Sequence, residues 1–253
     1  MNTEDMPTMS EHAHNLAAGL AAPGSSTRLQ AALATGSAPE PGLLPVLLER
    51  CAVEPDFFVR DMLTWAITRL PTDLTVPELL RILAGYQGTR HGAEASGCVR
   101  SGVQAVAQAL HTLSKIGDVR GWPAITDAMF ADPDDTLART AWRAAAKLVP
   151  AGAEAALAQR LASQLGRGGR ETWLSLARVH LDLGESARPV VERIVSAGGA
   201  VEGAQGGSAE RRLAHALAIL RLFDDPEAAF APDLAQARRV RALGGFEPGG
   251  QPC

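Results

Sequence analysis

The residues best suited to chemistry crowd into one stretch, GYQGTRHGAEASGCVRSG, from Gly85 to Gly102. His91 and Cys98 have the types of a base and a thiol nucleophile. Six small or flexible positions separate them, and five glycines in the stretch make a fixed catalytic geometry costly in backbone entropy. The stretch is therefore expected to be a surface loop, with Tyr86, Arg90 and Arg100 as contacts to a partner and no catalytic residue. Other clusters fail on spacing. His12 and His14 have no third ligand close by, so no metal site is expected. ADPDD, Ala131 to Asp135, lacks the glycine and distal glutamate of a calcium loop and reads as a turn, with Asp134 as a helix N-cap. Gly166 to Arg170, GRGGR, has amides and arginines that could hold an anion, but reads first as an inter-helix turn. His111 and His215 have no Ser or Cys nucleophile at a recognisable spacing and are read as surface or groove residues. No cofactor is implied.

The remaining candidates are cations: Arg60, Arg69, Lys115, Arg139, Arg143, Lys147, Arg178 and Arg221. Arg69, Lys115, Lys147 and Arg221 fall in last turns of helical stretches, where a cation stabilises the macrodipole by about 0.3–1 kcal/mol. Arg60, Arg139, Arg143 and Arg178 sit away from those turns, which leaves two readings: solvated or inter-repeat ion pairs, or the binding of an acidic partner. The chain carries a net charge of −4 and a pI near 5.9, against a general nucleic-acid binder working by bulk charge. Yet the five periodic stretches 57–70, 102–116, 135–148, 169–183 and 208–222 hold eleven basic residues and five acidic ones. Trp65, Trp142 and Trp173 lie on the same stretches and read as packing residues before they read as base-stacking platforms.

These stretches must be positioned by helices. Hydrophobic residues make up 46% of the 253 positions but only eleven are aromatic, a composition of Ala and aliphatic side chains suited to close helix packing. Three cysteines without metal or redox spacing fit a reduced, cytoplasmic protein, and no signal pattern or long apolar run suggests secretion or a membrane. Apolar residues recur at three and four: Val59, Leu63, Ala66, Ile67 and Leu70; Ala105, Ala109, Thr112, Leu113 and Ile116; Leu137, Ala141, Ala145 and Leu148. Asp56 and Asp134 are placed as N-caps, Gly117 and Gly184 lie past the last turns, and Pro71 and Pro150 stop their helices. A Pro precedes four of these stretches, at Pro45, Pro77, Pro123 and Pro189, each two positions before an apolar residue. The unit repeats.

Paired helices, a Pro in the first and Asp56-Phe57-Phe58-Val59-Arg60 opening the second resemble HEAT repeats. The segments RCAVEPDF (Arg50 to Phe57), MLTWA (Met62 to Ala66) and LHTLSKIGD (Leu110 to Asp118) are similar to those of bacterial HEAT-repeat proteins. The resemblance implies an all-α, α-α superhelix (an armadillo-type solenoid) of about five to six helical hairpins, with no established enzymatic activity. Pairs are expected near 11–36, 42–71, 75–117, 120–149, 153–184 and 186–223, with a cap helix at 226–243 and Gly-rich insertions at 85–102 and 197–208. The whole of 11–243 would then be one solenoid between flexible ends at 1–10 and 244–253. In HEAT-like solenoids the second helices line the concave side, so the resemblance implies a non-catalytic scaffold binding an acidic or extended protein there. The competing reading is nucleic-acid binding, or base excision as in HEAT-fold DNA glycosylases that remove alkylated bases.

Overall fold

Two of the long helices begin where an aspartate meets an apolar-periodic run. The Asp56 carboxylate accepts from the N–H groups of Phe58 (2.9 Å) and Val59 (3.1 Å), and that of Asp134 from Thr136 (2.8 Å) and Leu137 (3.0 Å). Each cap satisfies two amides that the first helical turn leaves without partners. At the other end, Gly117 and Gly184 adopt φ of 74° and 68°, the left-handed conformation that ends a helix without a Cβ clash.

The computed structural model describes residues 10–86, 97–202 and 208–242, with the backbone alone for 97–101. It is all-α, with no strand among the described residues. Contacts divide it into two compact units, Met1–Ala124 and Ile125–Cys253. The first contains α1 (Glu11–Leu20), α2 (Ser25–Ser37), α3 (Leu44–Val53), α4 (Phe57–Thr68), α5 (Thr72–Ala84) and α6 (Gly97–Ile116), followed by a 3-10 segment, Val119–Ala124. The second contains α7 (Asp127–Phe130), α8 (Asp135–Leu148), α9 (Glu154–Leu161), α10 (Arg170–Asp182), α11 (Arg188–Ser196), α12 (Ala209–Asp224) and α13 (Leu234–Ala242).

In the first unit, second helices pack side by side, α2 on α4 and α4 on α6, while α3 lies against α4 and α6, and α5 against α6. The apolar face of α4 is buried at Val59, Leu63, Ala66 and Ile67, as is Leu70 just past its end, in one cluster with Leu20, Leu44 and Leu47. Each fully buried leucine contributes roughly 1.5–3 kcal/mol of transfer free energy. Helix packing here is close enough that a Cβ on Gly36 would run into the Trp65 ring. Beneath the α3–α4 turn, the fully buried Glu54 accepts from Arg28 Nε (2.7 Å) and a second Arg28 nitrogen (2.8 Å), and from the N–H of Asp56 (2.9 Å), with Arg50 Nε at 2.9 Å. Burial alone would raise this carboxyl; the Arg28 hydrogen bonds, the Asp56 amide and Arg50 outweigh it and hold it below its ordinary value.

In the second unit, α8, α10 and α12 stand side by side, with α7 and α9 against α8, α11 against α12 and α9, and α13 against α12. Leu137, Ala141, Ala145 and Leu148 of α8 are buried, and Trp142 is fully buried with its indole N–H donating to the Phe130 carbonyl at 3.1 Å. The GRGGR segment is a turn held from several sides. Arg167 binds Asp135 Oδ1 (2.8 Å), the carbonyls of Phe130 (3.2 Å) and Asp132, and lies over the Trp142 ring. Arg211 Nε donates to the Gly166 carbonyl at 2.8 Å. Two of the arginines around this turn are thus occupied inside the protein.

Three expectations from the sequence change. The second helix of the 75–117 pair begins at Gly97, so Gly97 to Gly102 belongs to α6 rather than to the 85–102 insertion; glycine content hid the first turn, and residues 87–96 lie outside the described residues. The first helix of the 120–149 pair is broken into the 3-10 segment and the four-residue α7, because Pro123 lacks an amide and Thr126 caps a new start by accepting from Met129 N–H. The cap helix runs over Leu234–Ala242 rather than 226–243, opened by Asp233, whose carboxylate accepts from Gln236 N–H at 2.9 Å. The pair at 11–36 forms a full helical hairpin, α1 and α2.

Candidate functional site: an arginine cleft between two helices

Helix positions three, four and seven apart share a face. On α10 this brings Glu171, Leu174, Ser175, Arg178, Val179 and Asp182 together, and on α8 it brings Arg139 and Arg143 together, four apart. Because α8 and α10 pack against one another, the two faces form the walls of a cleft of about 290 Å³ lined by these residues and Leu181. Its apolar side is Leu174, Val179 and Leu181, and its polar side is dominated by three guanidinium groups.

No carboxylate lies within ion-pair distance of Arg139, Arg143 or Arg178 among the described residues. Asp182 is engaged elsewhere, 3.6 Å from Lys147 Nζ. Arg143 folds back on its own helix, with Nε donating to the Arg139 carbonyl at 3.1 Å and a terminal nitrogen 3.3 Å from Thr140 Oγ1. Partial desolvation, and then repulsion from Arg139, push the Arg143 pKa down from its ordinary value. It remains a cation at neutral pH. Two polar atoms in the walls, Arg139 Nε and Ser175 Oγ, are buried without a hydrogen-bond partner in the protein. Such groups cost free energy unless something satisfies them.

Three of the eight candidate cations therefore come together, with Lys147 one residue removed through Asp182. The others have separate roles. Arg60 donates to the carbonyls of Glu54 (2.8 Å) and Pro55 (2.9 Å), closing the end of α3. Arg69 and Lys115 are exposed at or near the ends of α4 and α6, and Arg221 reaches the Ala231 carbonyl and Gln236 Oε1 beside α13, at 3.5 Å each. Tyr86 is half-buried after α5, with its N–H on the Leu83 carbonyl at 3.0 Å. Arg100 lies in the first turn of α6, and Arg90 is outside the described residues. Ser175 carries no signal of its own in the sequence; its place is readable only as the position between Glu171 and Arg178 on one face of α10.

The reading of His215 as a surface or groove residue is overturned: it is fully buried in the second unit. Its ring stacks on Trp173 at 5.0 Å and meets Phe230 edge-on at 6.0 Å. The amide of Gly166 donates to Nδ1 (3.2 Å), so Nε2 carries the proton and donates to the Trp173 carbonyl (2.9 Å). Burial, with the neighbouring His180 adding to it, lowers the His215 pKa to about 3. A base so enclosed between backbone partners is structural, and His111 is half-buried on α6. Among the described residues no group of three His, Cys, Asp or Glu side chains could hold a metal ion, and no helix is long and apolar enough to cross a membrane.

No family model matches the chain. No curated protein matches it either.

Proposed function

We propose that this protein is a non-catalytic scaffold of the HEAT-like kind that captures an acidic, extended segment of another protein, and that the α8–α10 cleft is its point of capture. The observation that carries this reading is the convergence of Arg139, Arg143 and Arg178 on one cleft, none of them within ion-pair distance of a carboxylate among the described residues. Guanidinium groups take carboxylates through paired, planar hydrogen bonds, and the leucine and valine wall gives the aliphatic part of a side chain something to lie against. The HEAT-like assignment is supported by side-by-side second helices within each unit, by aspartate caps at Asp56 and Asp134, and by Pro45 and Pro189 in the first turns of α3 and α11. The buried free thiol of Cys51 suits a reducing compartment, which supports a cytoplasmic protein.

The test is binding of a fluorescent Glu/Asp-rich peptide, followed by anisotropy, to the wild-type chain and to the Arg139→Glu/Arg143→Glu double variant. Charge reversal should weaken binding at least tenfold and reduce its salt dependence. Equal binding by the variant sinks the reading. Salt-dependent binding of duplex DNA that exceeds binding of the peptide would favour the nucleic-acid alternative instead.

A further inference from the structure

The cleft has more positive charge than a single carboxylate can balance. Three guanidinium groups, Arg139, Arg143 and Arg178, line it with two carboxylates, Glu171 and Asp182; Lys147, outside the lining, takes up Asp182, so two positive charges are left over. A side-chain carboxylate supplies one negative charge in one plane, whereas a phosphate monoester supplies about 1.5–2 at neutral pH and three acceptor oxygens spread in three dimensions. Donors from two helices suit the second. Arg139 and Arg143 come from one wall and Arg178 from the other, so an acceptor between them is approached from two helices rather than along one plane. Ser175 Oγ and Arg139 Nε, buried within the walls, have no partner in the protein. At about 290 Å³ the cleft is at the small end of ligand sites, which run roughly 300–1,000 Å³. It suits one side chain and its flanks, and the apolar strip of Leu174, Val179 and Leu181 gives a peptide neighbour a surface.

Building on the acidic-partner reading, we infer that the cleft selects a phosphorylated serine or threonine in the partner segment. Phosphorylation would then switch the interaction on. A phosphate monoester also titrates near pH 6, so its binding strengthens between pH 5.5 and 7, an interval in which a carboxylate peptide is already fully charged.

Three nine-residue peptides of one Gly/Asp sequence, differing only in a central Ser, phosphoserine or Glu, are titrated into the full-length chain. Arginine Nε–H signals are followed by NMR and assigned through Arg139→Lys, Arg143→Lys and Arg178→Lys variants. The phosphopeptide should bind at least tenfold more tightly than the Glu peptide, shift all three signals, and gain affinity from pH 5.5 to 7. Arg178→Gln, an exposed position, should lose at least fivefold in phosphopeptide affinity while its thermal midpoint stays within a degree or two. Phosphopeptide and Glu peptide binding equally at this site would overturn the phosphate inference and leave the acidic-partner reading standing. Failure of all three peptides would remove both. Inorganic phosphate binding as tightly as the phosphopeptide would overturn the assignment to a peptide and point to a free anion.

Discussion

His215 shows how a side chain of ordinary reactivity becomes part of the framework. With Nδ1 accepting from Gly166 and Nε2 donating to Trp173, the neutral ring is satisfied, and a proton on Nδ1 would face an amide donor. In the unfolded chain the same imidazole titrates at about 6.5, whereas in the folded protein it resists down to about 3. Between those values the unfolded state binds the extra proton, so stability is fully present above about pH 6.5 and declines as pH falls, by roughly 1.4 kcal/mol per pH unit for this one group. Burial likewise lowers the His180 pKa, which acts in the same direction. Glu54, held below its ordinary value, adds a loss only at lower pH. Urea unfolding of wild type and His215→Gln between pH 4.8 and 7 should give a shallower slope for the variant; an unchanged slope would mean that His215 is not the group responsible. The burial of His215 was not legible in the sequence, because its partners Trp173 and Phe230 come from elsewhere in the chain.

Helices were the most legible level, for reasons that differ between their ends and their faces. Asp56 and Asp134 act locally, on amides two and three residues away, so a short stretch of sequence contains the whole cap. Replacing Asp134 with Ala should therefore lower stability by about 1 kcal/mol, seen as a lower urea midpoint with an unchanged slope. Buried faces follow from period alone, as with Val59, Leu63, Ala66 and Ile67 on α4. What escaped was competition between local signals: Pro123 and Thr126 divide what the repeat pattern predicts as one helix, and the glycines of GCVRSG conceal the first turns of α6. The cleft was half legible. Its arginines stand out as cations away from helix ends, but that Arg139 and Arg143 share a cleft with Arg178, while Arg60 is taken up by the α3 terminus, follows only from which helices pack together.

At the level of the molecule, each unit has buried residues of its own, Leu47, Leu63 and Ile67 in the first and Phe130, Leu137 and Trp142 in the second. Helices this dependent on tertiary burial for stability should loosen around a damaged core before they loosen elsewhere. Trp142→Ala removes a fully buried indole and its bond to the Phe130 carbonyl, at a cost of about 3–5 kcal/mol. Hydrogen exchange should then quicken first in α7, α8 and α10, the elements in contact around that site. Uniform acceleration along the chain would show that the second unit is not a cooperative element of its own.

The thiol of Cys51 lies within the first of these cores, 3% exposed, and burial there raises its pKa to about 12. The adjoining end of α3 is tied to α6 by Gln104, which donates to the carbonyls of Cys51 (2.8 Å) and Glu54 (2.9 Å). A thiolate is the reactive form, so neither reagent access nor ionisation is available while these helices are closed. The speed at which Cys51 is alkylated in the native protein is thus a clock for the opening of the α3–α6 packing, built into the chain without any label.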